Sequence, residues 1–347
     1  MNTPANSTRP TGKFYVRQGH RTGNAKDPLQ KAASDLFGIL EAAGYRSLNS
    51  LSLPGRVGKL ADIALRLLNI VLRVRRGCVV VFNLPANYRF MQAVHLLKRL
   101  IGFKLVVHCY DMESLRYSTP MQLSPRERQT MNGCDVVLTP SANSEAILRP
   151  LGVTAACIPV QVWDYLHPQD VTCPQGDGRV AFAGNPRKAA FLSELGELRT
   201  AFTVWAQDYQ TPHPNVQALG VAALPENLAQ LARSGWGLVW DGESIDGERL
   251  GPLGQYTRVM TTHKGGLYLA AGLPLIVWSQ GGMAPFVRDN RIGICVDSLR
   301  ELDHILPALS AEDCAQFRRN AGELAGRIRT GYFLTQALRR AEALLRS

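Results

Sequence analysis

The sequence predicts an α/β protein built from two consecutive domains. Apolar runs of strand length alternate with amphipathic helical stretches along most of the 347 residues, the pattern of a parallel sheet covered by helices. A chain of this length is long for one hydrophobic core and suits two. A Pro-, Asp- and Gly-rich stretch at 166–178 marks the linker between them.

The first domain is predicted over residues 13–165, after a tail at 1–12 that is rich in Pro, Asn and Thr and is expected to be disordered. A strand at 13–17, a glycine-bearing loop at 18–24 and a helix at about 27–43 open it. The loop does not match the glycine spacing of a dinucleotide-binding fingerprint. Further strands are predicted at 47–51, 78–82, 104–108 and 135–138, and further helices at 56–75, 88–100, 125–132 and 143–148.

The second domain is predicted over residues 166–328 and a crossover helix over 329–347. Strands are expected at 180–182, 202–205, 237–240, 275–278 and 294–296, and helices at 224–233, 263–271, 283–290, 311–329 and 333–346. Two α/β domains joined by a linker, with a terminal helix free to pack back on the first, predict the GT-B architecture, in which the two domains face a central cleft.

The charge is unevenly distributed along the chain. Residues 1–165 carry 21 Lys and Arg against 10 Asp and Glu, whereas residues 166–347 carry 18 of each, so the net charge of +11 lies in the first part. This asymmetry suggests an anionic partner such as a membrane surface or a pyrophosphate-linked lipid, or else a basic face that aids solubility. Nucleic acid is the weaker candidate, because the basic stretches are not interleaved with stacking aromatic residues.

The helix predicted at 56–75 leaves two interpretations open. Either it packs its apolar side on the domain and exposes a basic side, or it lies on an anionic bilayer. Its predicted inner side comprises Leu60, Ile63, Ala64, Leu67, Ile70, Val71 and Val74, and its basic side Arg56, Lys59, Arg66, Arg73 and Arg76.

No apolar run reaches membrane-spanning length, and the first residues lack the apolar core of a signal peptide, so a cytoplasmic protein is expected. The seven cysteines are scattered and form no Cys-x-x-Cys pair, which indicates neither a disulfide framework nor a zinc site.

A phosphate-binding helix start is predicted at His263 and Lys264. Thr262 is a plausible N-cap, Gly272 lies where a left-handed residue would end the helix, and an apolar strand follows at 275–278. Free backbone N–H groups, the helix dipole and a lysine coincide there, which favours a diphosphate. The alternative is an ordinary helix with a surface lysine at its start.

Two further strand ends carry polar residues. Gly184, Asn185 and Lys188 follow the strand at 180–182 and form a second candidate phosphate loop. Asp111 and Glu113 follow the strand at 104–108, at the edge where open α/β sheets bind ligands. A carboxylate there is either a general base or a structural group that caps a helix or pairs with Arg116.

Five ordered blocks resemble the bacterial family of β-1,6-galactofuranosyltransferases and the related adhesin glucosyltransferases. They are Ala183-Gly-Asn-x-x-Lys188, Gly237–Gly242, Tyr256–Lys264, Leu267–Trp278 and Gly293–Ser298, and the segments Lys31-x-x-x-Asp35 and Asp111–Arg116 agree. One departure is Met260-Thr261-Thr262, where the family usually has Asn-Asn-Pro.

The resemblance implies a GT-B enzyme that transfers a hexose from a UDP-sugar to a glycan or lipid-pyrophosphate acceptor, without a metal or other cofactor, by inversion, and often as a homo-oligomer. It places Gly184, Asn185, Lys188 and Asp241 beside the UDP moiety, and Tyr256, His263 and Lys264 around the diphosphate. It leaves Asp111, Glu113 and Asp35 as candidates for the base. Leu267 occupies the position where many retaining GT-B enzymes keep a donor-binding glutamate, which favours inversion. The alternative function is a non-catalytic nucleotide-sugar-binding subunit of a glycosyltransferase complex.

Overall fold

The computed structural model describes residues 12–17, 28–48, 55–118, 120–168, 171, 176–220 and 224–346. The predicted tail up to residue 11 and the glycine loop at 18–24 lie outside the described residues. The described part contains two six-stranded sheets, and all strand pairs in them are parallel.

The first sheet has the strand order β2-β1-β3-β4-β5-β6. Its strands are β1 (Lys13–Val16), β2 (Arg46–Ser47), β3 (Val79–Leu84), β4 (Lys104–Cys109), β5 (Val136–Thr139) and β6 (Ala156–Pro159), and its helices are α1 (Pro28–Ala42), α2 (Gly55–Arg73), α3 (Tyr88–Ile101), α4 (Glu113–Arg116), α5 (Pro125–Asn132) and α6 (Ser144–Leu148). Side chains alternate between the two faces of each strand, so β1 sends Tyr15 into one core and Phe14 and Val16 into another.

The second sheet has the order β12-β11-β10-β7-β8-β9. Its strands are β7 (Val180–Ala183), β8 (Phe202–Trp205), β9 (Val216–Leu219), β10 (Trp236–Val239), β11 (Leu275–Trp278) and β12 (Gly293–Val296). The helices are α7 (Leu224–Leu231), α8 (Gly251–Tyr256), α9 (His263–Ala270), α10 (Ala284–Asp289), α11 (Leu302–Ala308), α12 (Ala311–Arg329) and α13 (Tyr332–Leu344). The order reverses between β7 and β10, which creates the switch point where doubly wound sheets bind ligands.

The last helix, α13, packs against α1, β5 and β6 of the first sheet. Its apolar residues Leu334, Ala337 and Leu338 are buried in the core that contains Tyr15. The predicted α/β class and the return of the terminal helix are therefore confirmed. Most predicted elements are present with shifted ends, whereas β6, β9, α4, α8 and α11 were not predicted.

The prediction for α2 was wrong in part about which residues are exposed. Ile70 and Val74 are buried as expected, but Leu60 and Val71, predicted on the inner side, are exposed, and so are Leu65, Leu68 and Leu72. Arg66, predicted on the basic outer side, is half-buried and pairs with Asp62. The outer side of this helix is thus mainly apolar.

The six cysteines among the described residues are free thiols. In the part of the chain that the structure describes, no helix is both long enough and apolar enough to cross a membrane.

Candidate active site

The candidate site lies at the carboxyl edge of the second sheet, where the loops after β7 and β10 meet. The backbone N–H of Gly242 donates to the carbonyl of Lys188 at 3.2 Å, and Ala189 and Gly242 form an isolated parallel bridge. These contacts bring the Gly184–Lys188 turn beside Asp241. Both turns lie next to the start of α9.

Lys264 is held at this edge by Asp241. Its Nζ donates to both carboxylate oxygens at 2.8 and 2.9 Å, and both side chains are at most 15% exposed. A Cβ on Gly184 would lie 2.9 Å from the ring of Phe182 and 3.7 Å from Cε of Lys264, so it would clash with the ring and lie in van der Waals contact with the lysine. Gly184 and Lys264, which were predicted separately as ligand-binding residues, are therefore close together in the structure, and Asp241 is the counter-ion of the lysine.

The first turn of α9 has polar groups without partners. Thr262 is the N-cap residue with extended backbone angles, as predicted, but its side chain makes no capping bond. Its Oγ1 and the Nε2 of His263 are both buried and have no hydrogen-bond partner among the described residues. Buried polar atoms are normally paired, so two such atoms beside free helix N–H groups favour an anionic ligand at this point.

The ring of His263 lies among aromatic side chains of the first domain. Its centroid is 4.7 Å from that of Trp163 and 5.1 Å from that of Tyr110, and Trp163 also contacts His108 edge-on at 5.0 Å. Burial, together with the smaller effects of the nearby His108, Lys264 and Lys31, lowers the pKa of His263 to about 3. His263 is therefore neutral at physiological pH and can offer one N–H donor without adding charge.

A close backbone approach joins α9 to the segment before the linker. A Cβ on Gly266 would lie 2.1 Å from the carbonyl oxygen of Trp163, and one on Gly265 would lie 2.5 Å from the end of Met283. The indole N–H of Trp163 donates to the carbonyl of Thr261. The start of α9 is thus fixed against residue 163, and this contact needs glycine at 266.

Tyr256 bridges the two domains. Its hydroxyl donates to Oδ1 of Asp111 at 2.6 Å and accepts from the backbone N–H of Met112 at 2.7 Å. Arg116 pairs with the other oxygen of Asp111, and its guanidinium lies 5.5 Å from the Tyr256 ring centroid. The pairing of Asp111 with Arg116 was one of the alternatives that the sequence left open for this carboxylate, and it is present in the structure. The structure therefore brings Asp111 to the cleft, and Tyr256 contacts the first domain through its hydroxyl.

The other two candidate carboxylates lie in different settings. Glu113 is exposed in the first turn of α4. Asp35 is buried in an ion pair with Lys31 and accepts from the backbone N–H of Leu166 at 3.1 Å, while Lys31 donates to the Leu166 carbonyl at 2.8 Å. Burial raises the pKa of Asp35 and the Lys31 charge opposes that rise. Asp35 thus fastens α1 to the linker.

Asn185 and Lys188 belong to an exposed turn. The Asn185 side chain accepts from the backbone N–H of Arg187 at 3.0 Å and caps the short 3-10 helix Pro186–Lys188. Both side chains are exposed. The structure brings them to the same sheet edge as Lys264.

Sequence reasoning missed the aromatic group of Trp163, Tyr110 and His108. Tyr110 directly follows β4, at the same edge as Asp111, and this position was the available signal. The sequence contained no signal for Trp163, because its hydrogen-bond partner Thr261 is 98 residues away in the chain.

Solved structures share the whole two-domain arrangement. Anabaena HepE in complex with UDP-glucose matches with a TM-score of 0.60 at 12% identity, over 96% of this chain and 99% of that chain. Sucrose-phosphate synthase from Thermosynechococcus elongatus matches with a TM-score of 0.56 at 12% identity, over 97% of both chains. Together with two parallel sheets that meet at a cleft, these similarities define the GT-B glycosyltransferase fold.

Sequence comparison gives the family. The Glucosyltransferase 3-like N-terminal domain matches residues 13–162 and the Glucosyltransferase 3-like C-terminal domain matches residues 180–341. The β-1,6-galactofuranosyltransferase WbbI of Escherichia coli K12 is 27% identical over 90% of this chain and 94% of its own, and Glucosyltransferase 3 of Streptococcus gordonii is 27% identical over 88% and 92%. The chain belongs to the glucosyltransferase 3-like family and is a glycosyltransferase, as the resemblance predicted.

Proposed function

We propose that this glycosyltransferase moves a hexose from a UDP-sugar to a hydroxyl of a glycan or lipid-linked acceptor, without a metal ion and with inversion. The observation that carries the donor assignment is the start of α9. Lys264 and two buried polar atoms without partners, Thr262 Oγ1 and His263 Nε2, lie beside the free N–H groups of that helix.

The chemistry of a diphosphate leaving group fits this arrangement. Negative charge grows on the UDP β-phosphate as the sugar departs, and donors fixed in advance stabilise that charge most effectively. Lys264 supplies a cation, and the neutral His263 supplies an N–H donor. Without a ligand, the Lys264 ammonium is paired with Asp241. The diphosphate of the donor therefore either displaces Asp241 from the lysine or shares the lysine with it.

The printed activities of relatives support the donor class. WbbI is named a galactofuranosyltransferase and the streptococcal relatives glucosyltransferases, while HepE is similar in fold and is described with UDP and UDP-glucose. These names support a UDP-linked hexose and leave galactofuranose and glucose as the two donors to test first.

For the base we favour Asp111. It follows Tyr110, whose ring contacts His263, so Asp111 lies near the proposed diphosphate site. Tyr256 and Arg116 each engage one carboxylate oxygen, which fixes its orientation and leaves further lone pairs for an acceptor hydroxyl. The other two candidates for the base serve as controls. They are Asp35, which is paired with Lys31 and bonded to the linker, and Glu113, which is exposed on α4.

The test is a thermal-shift series with UDP, UDP-galactofuranose, UDP-galactose, UDP-glucose and UDP-N-acetylglucosamine, each with and without EDTA. A ligand that binds the folded state raises its melting temperature by mass action. We expect UDP and one UDP-hexose to stabilise the protein equally with and without EDTA. Absence of a shift with every nucleotide would refute the donor site, and a shift abolished by EDTA would refute metal independence.

A further inference from the structure

Two neighbouring helices of the first domain expose an unusual amount of apolar surface. We call it the leucine face and define it as Leu60, Leu65, Leu68, Val71 and Leu72 on α2 with Leu96 and Leu100 on α3. These side chains are between 38% and 73% exposed. The two helices pack against each other. Contiguous exposed apolar patches of this kind mark interaction sites in soluble proteins.

The leucine face is separate from the side of α2 that holds the fold together. Ile70 and Val74 are buried in the core with Phe14, and Ile63 and Leu67 pack against that core. Residues 65, 68 and 72 recur at helical spacing on the outer side. A helix that is apolar on both sides is normally covered on both sides, and the outer cover is missing from this chain's described residues.

Cations surround one end of this face. Arg73 ends α2, Arg75 and Arg76 follow it, and all three are exposed, as is Arg99 near the end of α3. The side chain of Arg76 lies next to Gly102, which places the two helix ends together. Within the described residues no carboxylate pairs with these four arginines.

Acidic residues are nearly absent from the same surface. Asp62 is the one acid on α2, it is half-buried, and it pairs with Arg66; α3 has none. The first part of the chain also carries the entire net charge of +11. A self-associating copy would bring these same cations to one interface with little negative charge to balance them. An anionic lipid surface meets both features, because its phosphates attract arginines and its acyl boundary accepts leucines.

We propose that the leucine face and its four arginines dock the protein on an anionic phospholipid surface. The leucines enter the boundary between headgroups and acyl chains, and the arginines bind lipid phosphates. The docking itself does not depend on the transferase activity; only its consequence, a lipid-linked acceptor presented from the bilayer, rests on the proposed function.

The test is co-sedimentation of the purified full chain with vesicles of phosphatidylglycerol and phosphatidylethanolamine, compared with pure phosphatidylcholine. We expect binding to the anionic vesicles alone, weakening as salt rises. Leu68→Gln/Leu72→Gln/Leu96→Gln should abolish it, and Arg75→Ser/Arg76→Ser should weaken it by about fivefold for each arginine removed.

Matched controls come from α13, on the opposite face of the first sheet. Leu344→Gln and Arg339→Ser replace an exposed leucine and an exposed arginine there, and both should bind vesicles as the unchanged protein does. The leucine variants should keep their melting temperature and the stabilisation by UDP, which shows that they fold. The lipid proposal is overturned if the unchanged protein does not bind anionic vesicles. It is also overturned if the protein is a dimer that the leucine substitutions dissociate, and in that case the leucine face binds a second copy of the chain.

Discussion

Tyr256 and Asp111, 145 residues apart in sequence, are joined across the two domains by a hydrogen bond of 2.6 Å. The same hydroxyl accepts from the Met112 backbone, and Arg116 holds the other carboxylate oxygen. Burial raises the pKa of Tyr256 well above its usual value, and the Asp111 charge raises it further, so the phenol stays a donor throughout the accessible pH range. One residue of the second domain therefore orients the carboxylate that we favour as the base.

Replacing Tyr256 by Phe should leave donor binding nearly intact and slow turnover. The ring still fills its site, but Asp111 loses a donor and the Met112 N–H loses its acceptor, which should cost about 1–3 kcal/mol of stability. Urea unfolding measures the stability, and turnover at saturating UDP-sugar measures the rate. Asp111→Asn should lower turnover by at least about a hundredfold, whereas Glu113→Gln should change it little. Equal losses in both carboxylate variants would contradict the choice of Asp111.

Replacing Thr262 by Val should weaken UDP binding without lowering the stability of the unliganded protein. The Thr262 hydroxyl is buried without a partner, so a methyl group in its place should leave the melting temperature of the unliganded protein unchanged or higher. Affinity for UDP should fall because the anion loses a donor. Isothermal titration with UDP measures the affinity. A variant that binds UDP as tightly as the unchanged protein would show that this hydroxyl does not face the ligand.

Removing the Lys264 charge should have a larger effect on the nucleotide. Charge-assisted bonds contribute about 1.5–3 kcal/mol each, so Lys264→Met should weaken UDP binding by about 10- to 100-fold. It also leaves Asp241 without its counter-ion, which should lower the melting temperature. The double variant Lys264→Met/Asp241→Asn should recover part of that stability but none of the affinity. Arg339→Met, an exposed cation on α13, is the control for net charge.

Gly266→Ala should disrupt the start of α9, because the new methyl group would lie 2.1 Å from the Trp163 carbonyl oxygen. We expect a loss of several kcal/mol or failure to fold. Gly322→Ala in α12 is the matched control, since nothing lies within 4 Å of its added Cβ. That change should stabilise the protein by about 0.5–1 kcal/mol. Similar melting temperatures for the two variants would refute the close contact.

The stability contribution of Asp164 should depend on pH. Its carboxylate accepts from the N–H groups of Phe333 and Leu334 at 3.2 and 2.8 Å, at the start of α13. Burial nevertheless raises its pKa to about 7 from the ordinary 3.8. Between those values the unfolded chain releases this proton and the folded protein keeps it, so the folded state loses stability as pH rises to about 7.

The comparison with Asp164→Asn isolates this effect. The melting temperature of the unchanged protein relative to the variant should fall from pH 4 to pH 7 and stay level above it. Differential scanning calorimetry across that range measures the difference. A constant difference would mean that Asp164 is ionised in the fold throughout.

The sequence predicted the elements that a local pattern encodes. The strand at 275–278 and the helix at 311–329 match the structure residue for residue, because apolar period and capping residues lie within each segment. Gly272 has the left-handed φ of +71° expected after α9. The position of Lys264 in the first turn of α9 was likewise predicted from the residues beside it.

Non-local relationships were not predictable in the same way. The contact between Tyr256 and Asp111 depends on how two domains meet, which no local pattern records. The exposure of Leu60 and Val71 was missed because α2 has apolar residues around most of its circumference, so periodicity alone does not say which side faces the core. The strand β9, Val216–Leu219, was missed because its four residues carry little apolar alternation.

The return of α13 to the first sheet has a consequence for biosynthesis. Leu334, Ala337 and Leu338 fill a core that also holds residues from α1 and β5, so the domain that begins near residue 13 is completed by residues that leave the ribosome after the whole second sheet. During synthesis, the apolar surface of the first domain that α13 covers stays exposed until the second domain has been made. We therefore expect the second domain to become protease-resistant before the first domain, although the first domain is synthesised earlier.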